Sequence, residues 1–273
     1  MARGRRNKIN FLLDALKEIY AYRELLFTLS TRSIKVHYKQ TFFGIAWAIF
    51  TPLSTMLIFT FINKAKIINV DTGSIPYPIF AYCGLLPWMF FVGSLNSATT
   101  SLVDYGHLIN KIYFPREILP VSAILSKLID FFIASAVLIG LMGFYHVKLH
   151  IAIVTVPIIL LIQLILTAGL SFFLSMGHLF YRDVGYIVQG VMPLLMFITS
   201  VIYPIKVKSP QLQGLLTAVN PMIPIIDSYR DAILLGKWPN PANIAIPICL
   251  CFSLLIIGLM WFHKVEHLFA ENI

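Results

Sequence analysis

The chain has 273 residues, of which 58% are hydrophobic and only 12% are charged. A soluble globular domain carries roughly 25% charged residues, so this composition excludes a water-soluble fold and predicts an all-α integral membrane protein. The length leaves room for about five to seven spans of roughly 20 apolar residues each, with no separate soluble domain of ordinary size. The net charge is +9.

Residues 1–41 are predicted to form a cytoplasmic amphipathic segment that lies in the membrane interface. Its apolar residues recur at helical spacing, and Arg32, Lys35 and Lys39 form one basic stripe. Such a helix presents cations to lipid phosphates; a solvated helix beside the membrane is the alternative. Nine Lys or Arg against three acids in residues 1–39 favour a cytoplasmic N-terminus, although the later loops, Arg230 among them, argue the other way when taken alone.

Residues 42–262 are predicted to contain six transmembrane helices, and residues 263–273 a cytoplasmic tail, so that both termini are cytoplasmic. Residues 102–120 are too polar to span and are predicted to form a cytoplasmic helix and a turn between spans two and three. Residues 205–240 hold apolar pieces that are too short to cross, which predicts re-entrant helices between spans five and six. The spans are predicted at about 42–62, 77–100, 121–145, 151–180, 186–203 and 242–262.

Polar side chains within predicted spans are costly in hydrocarbon and therefore informative. Lys127 and Asp130 lie three apart and can pair on one helix face; they either brace the bundle or lie near its cytoplasmic mouth. Asn96 and Gln163 are predicted to form hydrogen bonds between helices. Spans one and two are also rich in aromatic residues, which either line a path for sugars or form an ordinary belt at the lipid interface.

Catalytic signatures are missing from the sequence. The nearest approach to a phosphate-binding loop, 185–190, is followed by Val191 instead of lysine. The string His263 to His267 fits a zinc-protease pattern, but five residues are a weak signal, and interfacial polar residues are the plainer interpretation. We therefore predict no catalytic residue, no metal site and no cofactor bound by this chain.

A series of short motifs, in their order along the chain, resembles the permease subunit of bacterial polysaccharide ABC exporters of the O-antigen and teichoic-acid type. The resemblance covers nearly the whole chain, and its most specific part is Phe-Pro-Arg-Glu within 110–120. The motifs are His-Tyr-Lys-Gln-Thr at 37–41, Phe-Gly-Ile-Ala-Trp at 43–47, Pro-Leu at 52–53, Asn-Lys-Ile-Tyr-Phe-Pro-Arg-Glu-Ile-Leu-Pro at 110–120, Arg-Asp-Val at 182–184, Tyr-Pro at 203–204, Asn-Pro at 220–221, Tyr-Arg at 229–230, Glu266 and Phe-Ala-Glu at 269–271.

The resemblance implies a transporter subunit, not an enzyme. It implies a homodimer in the cytoplasmic (inner) membrane, paired with two copies of a separate ATPase that binds ATP and Mg²⁺. The implied cargo is a polysaccharide linked to a polyprenyl diphosphate, with membrane lipid as a further partner and no nucleic acid.

The resemblance also implies roles for three sets of residues. The basic stripe Arg32, Lys35 and Lys39 would meet the lipid diphosphate at a gate helix. Aromatic side chains would line the glycan channel: Phe43, Trp47, Phe50, Trp88 and Tyr203. The polar segment between spans two and three would couple to the ATPase: Asp104, His107, Asn110, Lys111, Tyr113, Phe114, Pro115, Arg116 and Glu117.

Three alternatives stay open. An enzyme acting on polyprenyl phosphates would need paired acidic motifs, whereas Asp104, Asp130 and Asp183 are isolated. A channel or secondary transporter that needs no ATPase would show internal repeats, and none is visible. Within the exporter class, the substrate could instead be teichoic acid, another lipid-linked glycan, a drug or a small lipid.

Overall fold

The computed structural model describes residues 17–39, 41–68, 70–73, 75–109, 111–205, 209–266 and 269, and these are helical with no strand among them. The predicted amphipathic residues before 17 lie outside the described part. The helices are α1 Arg23–Lys39, α2 Trp47–Lys64, α3 Tyr77–Asp104, α4 Gly106–Ile109, α5 Ile118–Phe144, α6 Val156–Phe180, α7 Asp183–Ile198, α8 Pro210–Val219, α9 Met222–Arg230 and α10 Pro241–Val265.

Among the described residues, five helical stretches are long and apolar enough to cross a membrane, where the sequence predicts six. The predicted span 186–203 coincides with α7, which has 16 residues and is therefore about 24 Å long. A typical hydrocarbon core is roughly 30 Å thick. The five stretches are Gly44–Lys64, Tyr77–Asp104, Ile118–Phe144, Ile151–Phe180 and Pro247–Val265.

Helix α3 is the centre of the bundle. In its most apolar stretch 78% of the residues are buried inside the protein, against 11% for α2. Helix α3 packs on α5, α6 and α2, and its apolar side chains on every face meet protein, as expected of a helix hydrophobic all round. By contrast, α2 presents most of its apolar surface outward. The packing therefore separates a buried axis, α3, from an exposed flank, α2.

The bundle has two ends, which we call proximal and distal. The proximal end contains α1, α4, the loop 111–117 and the end of α10. It is held by a second apolar cluster, in which Phe114 packs with Phe172, Phe262 and Phe269. The distal end contains α8, α9, the loop 145–150 and the described residues between α2 and α3, which are 65–68, 70–73 and 75–76.

The helix predicted within 102–120 is shorter than expected. Between the end of α3 at Asp104 and the start of α5 at Ile118, Gly106–Ile109 is the helical part of the described residues, and 111–117 form turns and irregular backbone. Pro115 explains part of this, because proline disfavours helical backbone at the preceding residue, Phe114. The predicted pieces in 205–240 do form helices, α8 and α9, and α9 is largely buried.

Candidate functional site

A groove lined mainly by apolar and aromatic side chains runs along the flank of the bundle. It has a volume of about 510 Å³ and lies between α2, α3, α5 and α7. Each helix contributes a wall, with Trp47 from α2, Trp88 from α3, Phe131 from α5 and Phe197 from α7. We call this the aromatic groove.

A second, more polar cavity of about 350 Å³ lies between α1, α3 and α5 at the proximal end. Several of its wall residues carry hydroxyl groups, and Arg32 stands at its edge. We call it the hydroxyl cavity. Its hydroxyl-bearing residues are Ser33, Tyr38, Ser97, Thr100, Ser101, Tyr105 and Ser126.

The two cavities share His37, Tyr38, Lys127 and Asp130, which we call the junction cluster. Lys127 Nζ lies 3.4 Å from Asp130 Oδ2, so the pair predicted from sequence is present. The Tyr38 hydroxyl donates a hydrogen bond to Asp130 Oδ1. The side chains of Lys127 and Asp130 are 17% and 25% exposed. The cluster therefore joins α1 to α5 where the hydroxyl cavity meets the aromatic groove.

The protonation states on the α1 side follow from this packing. Burial and, next, the nearby charge of Lys127 lower the pKa of His37 below its ordinary value, against a smaller opposing effect of Asp130. Burial and the hydrogen bond to Asp130 raise the pKa of Tyr38. At neutral pH the imidazole is therefore neutral, and the phenol keeps the proton that it donates to Asp130.

Helix α1 is fixed against α5 and α3 by one face. Leu29 is buried, Ser30 Oγ donates to the carbonyl of Ser122 at 3.3 Å, and the hydroxyls of Ser33 and Tyr105 lie 3.1 Å apart. The opposite face is solvated or meets surrounding lipid.

The predicted basic stripe lies on one outer surface of α1. Arg32, Lys35 and Lys39 are all exposed, and all three line a shallow outer cavity. Arg32 also lines the hydroxyl cavity, with its guanidinium 5.8 Å from the centre of the Tyr105 ring. Only Arg32 of the three therefore reaches the hydroxyl cavity.

The predicted glycan-channel aromatics also separate. Phe43, Trp47 and Phe50 form an edge-to-face ladder with ring centres 5.6 Å and 5.4 Å apart, and all three are exposed. Trp47 and Trp88 line the aromatic groove, but Phe43, Phe50 and Tyr203 are not among its lining residues. The Tyr203 hydroxyl donates instead to the Phe197 carbonyl.

The predicted coupling segment has an exposed part and a buried part. Asp104, His107, Lys111 and Tyr113 are exposed, and Tyr113 is 78% accessible. Phe114, Pro115 and Glu117 are buried, while Arg116 is intermediate. Asn110 lies outside the described residues. The exposed side chains form a projecting tip, and the buried ones attach that tip to the bundle.

Glu117 and Arg116 join the loop to the end of α10. His263 Nε2 lies 2.7 Å from Glu117 Oε1, and His263 Nδ1 lies 3.5 Å from Glu266 Oε2. At 2.7 Å a proton must lie between the nitrogen and the carboxylate oxygen. Arg116 donates to the Glu266 carbonyl. Sequence reasoning treated His263 as an interfacial residue, because its partner lies 146 positions away in the chain.

We expect Glu117 and His263 to act as one unit in stability. Glu117→Gln and His263→Gln should each lower the free energy of unfolding by about 1–3 kcal/mol, since the remaining partner is left buried. The double variant should cost less than the sum, by about 0.5–3 kcal/mol. Unfolding in detergent, followed by tryptophan fluorescence, measures all three. Asp104→Asn, an exposed acid at the same end, is the control and should change little. Strictly additive costs would contradict the pairing.

At the distal end, a buried cation connects three segments: α3, the residues after α7, and α9. Arg230 is 4% exposed, and its guanidinium lies 3.8 Å from the centre of the Phe80 ring. Its Nη1 donates to the Ser200 carbonyl and, at 3.4 Å, to Asp227 Oδ1; its Nη2 donates to the Val201 carbonyl. Arg230, which the sequence counts among the loop charges, is therefore buried in a helix, α9.

Gln163 forms the interhelical hydrogen bonds that its sequence position predicts. Its Nε2 donates to the Pro87 carbonyl at 2.7 Å, and the Tyr229 hydroxyl donates to its Oε1 at 3.0 Å. These bonds link α3, α6 and α9. Among the described residues no three His, Cys, Asp or Glu side chains come together in a metal-binding arrangement.

Comparison with known proteins agrees with this architecture. Residues 24–234 match the family described as ABC-2 type transporter. The chain is 28% identical over 267 residues to the O-antigen export system permease protein RfbA of Myxococcus xanthus, which covers 96% of this chain and 100% of the relative. It is 30% identical over 249 residues to a protein of the same name from Klebsiella pneumoniae, which covers 91% of this chain and 94% of the relative.

Proposed function

The chain belongs to the ABC-2 type transporter family, and from this premise we propose that it is the permease of an ABC exporter that moves O-antigen linked to a polyprenyl diphosphate. The names of the relatives support this substrate over teichoic acid. The chain is a multi-pass membrane protein and a transporter subunit instead of an enzyme. Hydrolysis of ATP, with Mg²⁺, would occur on two copies of a partner ATPase.

The observation that carries this proposal is that the two cavities adjoin and share the residues of the junction cluster. A lipid-linked glycan has a charged diphosphate and a sugar chain with apolar ring faces. The hydroxyl cavity offers cations and hydroxyl groups to the first, while the aromatic groove offers rings to the second. The hydroxyl cavity and the aromatic groove thus follow one another along the bundle as the diphosphate and the glycan do in the proposed cargo.

We propose six crossings, with α7 and the residues after it forming the fifth. Thr199 and Ser200 follow α7 in non-helical backbone, and both are fully buried in protein. Non-helical backbone is tolerated at membrane depth where protein covers it. This arrangement leaves both ends of the chain on the cytoplasmic side of the inner membrane, where the dense basic cluster before α2 favours them.

A homodimer would complete the proposed glycan channel. The aromatic groove is lined by α2 and α7 among others and is not enclosed. Both of these helices expose large apolar side chains, including Phe50 of α2 and Leu194 of α7. A second copy packed against this flank would close the groove into a channel between two chains. In this arrangement Trp47 and Trp88 face the glycan, and α1 is the gate helix.

The proximal loop supports docking of the ATPase. Ile112 and Tyr113 are 58% and 78% exposed, whereas the neighbouring Phe114 and Pro115 are buried. An aromatic residue anchored by a rigid base is typical of an interface hot spot. Movement of the ATPase would pass through this tip to Glu117 and α10.

We expect Tyr113→Ala to abolish export while the permease stays folded, because the tip would lose its main anchor. In a strain that lacks this gene, the wild-type chain should restore surface O-antigen, detected by antibody or by gel ladder. Tyr113→Ala should reduce that signal by about tenfold or more, as expected for a hot-spot truncation of at least 2 kcal/mol.

Tyr181→Ala is the matched control, since Tyr181 is 73% exposed at the same end of the bundle but lies outside the loop. It should export normally. The wild-type chain should also co-purify with an ATPase in equal amounts, and the Tyr113 variant with much less. Export without any bound ATPase would overturn the proposed function. Normal export by the Tyr113 variant would overturn only the docking assignment.

A further inference from the structure

The junction cluster contains the Lys127–Asp130 ion pair. A purely structural role for this pair does not explain where it lies or which cavities it lines. Lys127 lies nine residues into α5, about 14 Å along the helix, so it lies well inside the bundle. Charged side chains at such depth are costly and usually functional. For bracing alone, well-packed apolar residues of the same size stabilise equally well or better.

The pair is also accessible, which a brace does not require. Lys127 and Asp130 line both the hydroxyl cavity and the aromatic groove, and each keeps part of its side chain exposed. Lys127 also packs against a small residue, since its Cδ would lie 3.6 Å from a methyl group built at Gly93. The ammonium group can therefore meet a ligand from either cavity without moving a helix.

The donors around the cavity suit a phosphate group. Lys127 and Arg32 supply positive charge, and the Ser97 hydroxyl lines the same cavity. The hydroxyls of Ser101 and Ser126 also line it; they donate to the carbonyls of Ala98 and Ala123 and would have to rotate to reach a ligand. Phosphate oxygens bind such charged and neutral donors together. Two acids, Asp104 and Asp130, also line this cavity, and their negative charges would oppose the binding of a phosphate group. Asp104 accepts a hydrogen bond from Thr100 at 2.7 Å, and Asp130 is held by Tyr38.

We propose that Lys127 is the phosphate-binding cation of the hydroxyl cavity. In the absence of ligand Lys127 pairs with Asp130, and a lipid diphosphate displaces Asp130 from this ion pair when it binds. This inference rests on the proposed function and locates the diphosphate inside the bundle, deeper than the outer basic stripe. When the phosphate binds, Lys127 turns from Asp130 to the ligand. Asp130 keeps the Tyr38 hydrogen bond, so α1 stays attached while the cation changes partners.

The two members of the pair should therefore respond to mutation in opposite directions. Lys127→Met removes the cation at nearly constant length and should weaken binding by about tenfold or more, the usual effect of losing a hydrogen bond to a charged group. Asp130→Asn keeps the shape and frees Lys127 while removing a repelling charge. It should strengthen binding by about threefold to tenfold. If the pair served only to hold the bundle together, both variants would lower the stability of the protein to a similar extent.

The experiment measures affinity for the purified wild-type chain and its variants in phosphatidylcholine nanodiscs. The probes are a polyprenyl diphosphate added to the nanodiscs, inorganic diphosphate in solution, and phosphatidylcholine alone. Lys148→Met, an exposed lysine at the distal end, is the charge-matched control and should bind like wild type. Unfolding midpoints without ligand show whether each variant is folded.

Opposite shifts for the two variants would support the proposal. Displacement of the lipid by inorganic diphosphate would then assign the site to the phosphate group itself, and lack of displacement to the complete lipid headgroup. Shifts in the same direction, or none, would overturn it. If the wild-type chain binds the lipid and exports glycan while the two variants shift alike, this inference alone fails. If the wild type neither binds nor exports, the proposed function fails with it.

Discussion

Arg230→Ala is expected to cost about 3–5 kcal/mol of stability, the range observed when one partner of a buried charged network is removed. Arg230 is 4% exposed, and its guanidinium donates hydrogen bonds to the carbonyls of Ser200 and Val201. Without it these buried carbonyls lose a donor, and each such loss costs about 1–3 kcal/mol. The segment after α7 would then separate from α9.

The measurement is thermal unfolding of the purified chain in detergent, with folded yield from size-exclusion chromatography. Arg182→Ala is the control, since Arg182 is exposed, and it should unfold like wild type. Arg230→Lys should recover only part of the loss, because a lysine cannot reach several acceptors with one planar group. An unchanged midpoint for Arg230→Ala would contradict the role of Arg230 as the connector of the distal end.

Gly84 shows how closely the surrounding chain fits this cation. A methyl group built at Gly84 would lie 2.3 Å from Arg230 Nη2 and 2.3 Å from the Val201 carbonyl. Neither approach is possible for a real side chain, so glycine is required for α3 to meet the guanidinium. This requirement joins three distant parts of the sequence in one contact.

Properties that depend on local composition could be predicted from the sequence. The five long apolar helices follow from hydrophobic length, and α8 and α9 occur where short apolar pieces are separated by prolines. The Lys127–Asp130 pair follows from a spacing of three. The length of α7 was less predictable, because Thr199 and Ser200 look like a continuation of the span until tertiary packing shows them in extended or irregular backbone.

Long-range pairings were out of reach of the sequence. The resemblance implies that Glu117 belongs to the segment that couples to the ATPase, yet Glu117 is 2% exposed and has His263 as its partner. Arg230 counts as a loop charge in the sequence, yet it is buried in α9. A charged side chain signals water only when nothing in the fold can pair with it. One sequence cannot show which distant residue does so.

The distribution of charge over the folded chain has a consistent logic. Among the described residues, the exposed cations lie on or just before α1, at the ends of α2 and α10, and on the loops, where lipid phosphate or water can meet them. Lys127, which is partly exposed, and Arg230, which is buried, each have an acid three positions away. The first pair lines two cavities and the second lies where three segments meet. In the proposed transporter, stability and transport would thus depend on the same small number of polar contacts.

Gly169→Ala is expected to destabilise the bundle by about 1–3 kcal/mol, the usual cost of overpacking. A methyl group built at Gly169 would lie 2.8 Å from the backbone nitrogen of Leu255 and 2.9 Å from the carbonyl carbon of Leu254. Backbone atoms cannot turn aside as a flexible side chain can, so α6 and α10 would have to separate. On α10, a methyl group at Gly258 would lie 2.9 Å from the Gly169 carbonyl oxygen. Small residues permit such approach in membranes.

Gly140→Ala is the matched control for this prediction. Gly140 also lies in a long apolar helix, α5, but a methyl group there would meet nothing within 4 Å. Alanine forms helices better than glycine by about 1 kcal/mol, so Gly140→Ala should be neutral or stabilising. The same chemical change should therefore have opposite signs at the two positions, as measured by unfolding in mixed detergent. Equal effects would mean that α6 and α10 are not held in backbone contact. Because α10 also carries His263, their separation would disturb the attachment of the proximal loop as well.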